Sequence, residues 1–385
     1  MRPHGLSPVE LAAGVPIGAV AAPRLPDTTD RPMDALVQAV SAAVLDPPCR
    51  VAFSGGRDSS LVLAAAVLAA RKLGAAPPIA TTLRFPGDSD ADEKPWQKLV
   101  LDQLAVEERI EIEVEEELDF VGPFAAEQLR RRGPRFPPNL HSMAPLLRGC
   151  VGGTLLVGAG GDELIGARAW TSLHDVLAGR RRPEARDIAR ATLALVPARA
   201  RRGIWPRPVH VERPWLTAEP ARRIRALERR ASAEPVRYDR STRWTARQRI
   251  TEIGRQSLAV LGEETGTRVE APLLDPRFVA ALARAGGGLG WGDRNATMRA
   301  VAQGELPDKL LDRRDKAVFS AVFFGPSTRR FAERWSGGGV DESLVDPEAL
   351  RSAWLEPEPL FHSAMLLQVA WLHDDGRRQH GGDSD

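Results

Sequence analysis

Residues 49–74 read CRVAFSGGRDSSLVLAAAVLAARKLG. Val51, Ala52 and Phe53 make a short apolar run of strand type. Ser54, Gly55 and Gly56 make a turn, and an apolar helix follows that Gly74 closes. Strand, glycine turn and helix in that order open a βαβ unit, and the same pattern spreads outward. Residues 33–46 have helical spacing. PIATTLRF, 78–85, reads as a second strand, 92–105 as helix, ERIEIEVE, 108–115, as an alternating strand, and 120–131 as helix. GGTLLVGAGGDELIG, 152–166, gives another apolar strand, a second glycine-rich turn and a helix start. This alternation predicts an α/β fold with a parallel sheet and crossover helices. Ligands of such sheets bind beyond the carboxyl ends of the strands, where both glycine turns fall. From about residue 175 the strand signal fades. The Arg- and Pro-rich stretch 176–215 reads as a loop or lid, and 240–335 mostly as helix. The expected plan is an extended arm over 1–30, one domain over 31–374 (α/β part 31–170, helical part 171–374) and a disordered tail over 375–385.

Composition narrows the function classes. The 385-residue chain is 43% hydrophobic, enough for a real core, and its formal net charge is +2, which gives no global field for nucleic acid. It has no apolar run long enough to cross a membrane and no signal-peptide pattern at its start. Cys49 and Cys150 form no CxxC pair, so neither a disulfide framework nor a structural zinc site is expected, and a cytoplasmic location is. Only 5 of the 53 basic residues are lysine, so arginine clusters read first as solvated surface and each lysine is more informative.

The turn Ser54-Gly55-Gly56-Arg57-Asp58-Ser59-Ser60 has the chemistry of a phosphate cradle. Glycines admit backbone N–H groups close to an anion, the helix N-terminus adds partial positive charge, and the serines supply hydroxyls. Asp58 beside phosphate calls for an intervening cation, and Mg²⁺ held by one or two carboxylates and phosphate oxygens meets that need. The lysine of the GKS/T pattern is missing. The same residues would also serve as an ordinary helix start capped by Asp and Ser.

SGGRDSS after an apolar strand resembles the PP-loop, SGGxDS, of the N-type ATP pyrophosphatases. VGAGGDELIG, 157–166, resembles the (S/T)GxGADELFGG segment of the asparagine synthase synthetase domain. GTRVEAPLLDPRFVAAL, 266–282, and MRAVAQGELPDKLLDRRDKAVF, 298–319, resemble two further segments of that family, in family order. The resemblance implies a PP-loop sheet with a helical C-terminal half and ATP-dependent amide formation. A carboxylate is adenylated with release of pyrophosphate, and ammonia or an amine then attacks. It implies that Ser54, Gly55, Gly56, Asp58, Ser59, Ser60 and Gly158 bind ATP and that Asp58 and Asp162 bind Mg²⁺. Lys316, following Arg314, would stabilise charge at the α-phosphate. Glu93, Gly161 and Glu163 fall where substrate contacts are expected.

The departures lie on the acceptor side. Residue 2 is Arg and about 50 residues precede the PP-loop, so no N-terminal glutaminase domain is expected. Ammonia would then come from a separate glutaminase, or the nucleophile is another amine of a small-molecule or peptide substrate, with a peptide-maturation partner in the latter case. Ala159 stands where asparagine synthases have Glu and β-lactam-forming relatives have Tyr, which leaves the general base open among His141, Glu93 and Glu163. The family's Glu and Arg are exchanged as Arg268 and Glu270. A lasso-type peptide macrolactam cyclase, a β-lactam-type cyclase and a nucleotide-binding pseudoenzyme are the alternatives.

Overall fold

In a computed structural model of the chain the described residues are 5–21, 24–86, 93–114, 118–201, 212–231, 233–313 and 320–381. Among them one parallel sheet has the order β3-β2-β1-β4-β5, with β1 Cys49–Ala52, β2 Ile79–Arg84, β3 Arg109–Glu113, β4 Thr154–Leu156 and β5 Arg268–Glu270. Helix α1 is Pro8–Ala13, α2 Pro32–Leu45, α3 Arg57–Leu73, α4 Lys94–Leu104 and α5 Pro123–Arg132. The chain winds from β1 through β2 to β3 on one side and from β4 to β5 on the other. The winding reverses between β1 and β4, which pair through Val51 and Leu156. A crevice opens at such a reversal, and the loops after β1 and β4 are the two glycine turns.

The α/β part forms where the periodicity places it. The run Leu61–Ala70 of α3 is almost wholly buried, with leucine, valine and alanine on every side, and Gly74 ends it in a left-handed conformation (φ 63°). Around it α2, the strands and the helix Pro276–Gly286 make the largest core, with Leu36, Val51, Phe53, Leu156 and Phe278 fully buried. A second core of Trp215, Phe331, Trp335, Trp354 and Leu367 holds the C-terminal helices together.

Three expectations are corrected. Residues 5–21 are packed against the domain rather than forming an extended arm. Val9, Ala12 and Ala13 give α1 a buried stripe, Trp215 Nε1 donates to Ala12 O at 2.8 Å, and buried Glu10 accepts from Ile17 N and pairs with Arg249. The helical half contributes a strand: β5 is only Arg-Val-Glu, too short for an alternating pattern, and its parallel pairing with β4 defines it. The last helix, Ala364–Gly381, extends into the expected disordered tail, and 382–385 lie outside the described residues. The stretch 176–215 contains the helix Ala185–Leu195, and 202–211 also lie outside the described residues. Among the described residues no helix is long and apolar enough to cross a membrane.

Candidate functional site

The first turn is built by the serines and glycines of the loop. Gly55 has φ 87°, a conformation L side chains rarely adopt, and a Cβ there would meet Gln97 Cγ at 2.7 Å. Gln97 Nε2 in turn donates to Ser54 O at 2.9 Å and pins the loop to α4. Ser54 is exposed, its hydroxyl accepts from Gly56 N at 3.2 Å, and it lies 3.0 Å from Ser59 Oγ. Gly56 is the N-cap of α3 and carries no side chain to cap its first turn, so that turn presents its N–H groups to the crevice. Ser60 is fully buried and its hydroxyl donates to Gly56 O at 2.8 Å. The structure therefore turns Ser60 into the helix, away from any ligand.

The second turn crosses directly over the start of α3. A Cβ on Gly158 would lie 3.0 Å from Ser59 N, and one on Gly161 would lie 2.2 Å from Asp58 Cγ. Only a chain bare of side chains at both positions lets the turn approach this closely, and the approach brings Asp162 near Asp58. One guanidinium, that of Arg294, spans the two: its Nη2 is 2.8 and 2.6 Å from the Asp58 oxygens and its Nη1 bonds Asp162. Burial alone would lower Arg294, but the Asp58 and Asp162 charges outweigh it and hold the group above its ordinary range.

Among the described residues, Arg294 is joined at the crevice by Arg57 and Arg313. Arg57, the first residue of α3, bonds Asn295 and reaches Arg313 O at 3.4 Å. Burial lowers Arg57, and the nearby positive charges of Arg294 and Arg313 add to the effect, while Asp58 opposes it. Arg313 pairs with buried Glu93 (Nη2–Oε1 2.6 Å) and lies over the Trp96 ring at 4.8 Å. Arg57 and Arg294 each begin a helix, where the dipole disfavours a cation. Two helix N-termini and the Arg57 guanidinium face the crevice, while Arg294 and Arg313 are paired with Asp58, Asp162 and Glu93, an arrangement that can accept a polyphosphate once those carboxylates carry a cation.

Asp58 and Asp162 suit a divalent cation as well. Both already bond one cation, the Arg294 guanidinium. Among the described residues no group of three or more His, Cys, Asp and Glu side chains is placed to hold a metal ion. The pair would therefore share an ion with phosphate oxygens and water, the usual arrangement for Mg²⁺.

Among the candidate bases, His141 is a packing residue. Its ring nitrogens lie 3.0 Å from Leu118 O and 3.2 Å from Pro138 O, it stacks edge-on with Phe120 and Phe323, and burial lowers its pKa. Glu93 is committed to Arg313. Glu163 stands next to Asp162, and burial, with the Asp162 and Asp58 charges behind it, pushes its carboxyl up. Tyr238, distant in sequence, is linked to this turn through Arg168, which donates to Glu163 O at 2.6 Å and lies 5.7 Å from the tyrosine ring. Neither cysteine is a ready nucleophile: both are buried, and burial, helped by Cys150, pushes the Cys49 thiol up to about 12. Arg314 and Lys316 lie outside the described residues.

The exchanged pair of β5 is only loosely an ion pair. Arg268 Nε is 3.7 Å from Glu270, and the guanidinium also holds Asp46 at 3.1 Å and Thr154 Oγ1 at 2.7 Å. Glu270 instead borders a cavity of about 580 Å³ with Leu25, Ala39, Val269, Leu274 and Asp275. Leu274 separates that cavity from the second turn, where a Cβ on Gly160 would strike it at 2.3 Å.

Sequence reasoning missed Arg57, Gln97, Arg294, Asn295 and Arg313. The available signal was a cation at the first position of a helix, present in SGGRDSS and again in GDRNATMRA. No curated protein matches the chain. A sequence profile described as asparagine synthase matches residues 33–374. With the two glycine turns meeting over paired carboxylates at the reversal of a parallel sheet, the chain belongs to the asparagine synthase family, a family of ATP-dependent ligases.

Proposed function

We propose that the chain forms an amide bond by adenylating a carboxylate with ATP and passing the acyl group to ammonia or an amine. The observation that carries the reading is the meeting of Asp58 and Asp162 over an arginine-lined phosphate cradle. In the first step the substrate carboxylate oxygen attacks the α-phosphorus, the bond to the β-phosphate oxygen breaks, and pyrophosphate leaves. The first turn of α3 and the exposed Ser54 hydroxyl hold phosphate oxygens, while the Ser59 hydroxyl braces the loop by donating to Gly56 O at 3.0 Å and accepting from Ser54 N at 3.2 Å. Arg57 offsets the charge that grows on the leaving pyrophosphate. Mg²⁺ held by Asp58 and Asp162 would neutralise the same oxygens when bound. In the second step the amine nitrogen attacks the acyl carbon, the acyl–phosphate bond breaks, AMP leaves, and the nitrogen gives up a proton. Glu163 is the carboxylate of the second turn suited to take that proton, since its raised pKa moves it toward working pH. Lys316 is assigned to the α-phosphate on the family resemblance.

The protein is expected to act on small-molecule or peptide substrates, in the cytoplasm, without nucleic acid.

The test is pyrophosphate exchange into ATP across a panel of carboxylic acids, with Mg²⁺, for the intact chain and for Asp58→Asn and Lys316→Ala. Exchange that depends on one acid and falls at least about a hundredfold in both variants is expected. Exchange that survives Asp58→Asn overturns the site. ATP bound tightly but never exchanged with any acid points to a nucleotide-binding module instead.

A further inference from the structure

We infer that Arg294 is the resident counter-cation of the metal-binding carboxylates, occupying their shared position until nucleotide and metal arrive and then transferring its charge to the phosphates. The inference rests on the proposed adenylation site and assigns a role to a residue that lies outside the family's motifs.

Three observations carry it. First, Arg294 is bound to both carboxylates at once, through Nη2 to Asp58 and through Nη1 to Asp162. A guanidinium and a divalent ion cannot both fill that position. Second, Arg294 starts the helix Arg294–Ala302, with Asp293 as its N-cap accepting from Ala296 N at 2.9 Å. A cation there works against the helix dipole, so the two carboxylates are what hold it in place. Its neighbour Asn295 holds Arg57. One helix start therefore touches both the carboxylate pair and the arginine at the head of the phosphate cradle. Third, the Arg294 Nε is buried without a hydrogen-bond partner, a spare donor that a phosphate oxygen beside the two carboxylates would satisfy.

The arrangement predicts effects of opposite sign at one residue. Without nucleotide, Arg294 competes with metal. With nucleotide, it adds a cation to the phosphate site. Removing its charge should therefore tighten metal binding and weaken nucleotide binding. A residue of merely structural importance would weaken both, and a purely phosphate-binding arginine would leave metal binding alone.

The experiment uses the full chain and its variants Arg294→Gln, Arg294→Lys and Asp58→Asn. Mn²⁺ alone is titrated and followed by the electron paramagnetic resonance of the free ion. Binding of Mg²⁺ with α,β-methylene-ATP is followed by calorimetry. Arg294→Gln is expected to bind Mn²⁺ about tenfold tighter than the natural chain and the nucleotide about tenfold weaker. Arg294→Lys, which keeps the charge, should stay near the natural chain in the Mn²⁺ titration. Unchanged Mn²⁺ affinity in Arg294→Gln, or a shift of both affinities in the same direction, overturns the counter-cation role while leaving the adenylation reading intact. If the natural chain binds no nucleotide, or Asp58→Asn binds metal and nucleotide as well as it does, the adenylation site itself fails and the counter-cation role falls with it. Thermal melting of Arg294→Gln confirms that the variant is folded. Should it not fold, Arg294→Lys carries the test: its Mn²⁺ affinity should match the natural chain while its nucleotide affinity drops, because an ammonium cannot grip phosphate through two parallel N–H groups.

Discussion

At the scale of single residues, charge is set by what each group has been placed beside. Glu163 illustrates the consequence. Its carboxyl is pushed up from 4.5 by burial and by Asp162 and Asp58, so the folded chain holds that proton more tightly than the unfolded chain does. The stabilising contribution is complete below 4.5 and is lost as pH rises through the raised value, above which the ionised group is a cost. Glu163→Gln should therefore melt at a higher temperature than the natural chain at pH 8, with the gap closing at pH 4. A melting series across that range measures it, and a gap that widens toward acid contradicts the burial argument. The same scale shows what sequence can reveal of a site. That Ser54, Gly55, Gly56, Asp58 and Asp162 come together at two adjoining turns is legible in the sequence, because their spacing sets two glycine turns at the same end of a parallel sheet. Arg294 is not, because its partner Asp58 lies 236 residues away and only the closed fold makes them neighbours. Ser60 shows the limit of such spelling: a serine in the first turn of a helix serves a ligand or the helix's own carbonyl with the same letters on either side, and here its hydroxyl bonds Gly56 O.

At the scale of elements, the segments with strong periodicity formed as read and those without it did not. The helix α3 and strands β1 to β4 announce themselves by apolar runs or alternation. The strand β5 has three residues and takes its identity from the edge of β4, and α1 sits in a stretch whose prolines and glycines suggested no structure. Another joint of this kind is made by Asp119. It is 1% exposed and accepts from Val121 N, Ser327 N, Thr328 N and the Thr328 hydroxyl, so that it caps the helix Pro326–Arg334 from the α/β side. Asp119→Ala leaves those buried donors unmatched and should cost about 3 kcal/mol, read from the urea midpoint. A loss under about 1 kcal/mol would mean the helix finds another cap.

At the scale of the whole molecule, the site is assembled from both ends of the chain. The PP-loop and second turn come from the α/β part, while Arg294, Asn295 and Arg313 come from the helical part, and each reaches across to the other. A ligand seated there ties the two together. Mg²⁺ and ATP at about a hundred times their dissociation constant should add roughly 2.7 kcal/mol of stability, seen as a rise of a few degrees in melting temperature that is lost in Asp58→Asn. A rise of the same size in Asp58→Asn would place the nucleotide elsewhere. The late arrival of β5 has a further consequence, in the order in which the molecule is made. β4 ends at Leu156 and its outer neighbour begins at Arg268, so the ribosome must synthesise the helical chain from 171 up to Arg268 before the sheet is complete. Throughout that interval β4 is an open strand edge on a nascent chain, available to any other extended segment. Expression at lowered translation speed or without chaperones should therefore select for aggregation of an incomplete chain rather than for slow catalysis by a finished one.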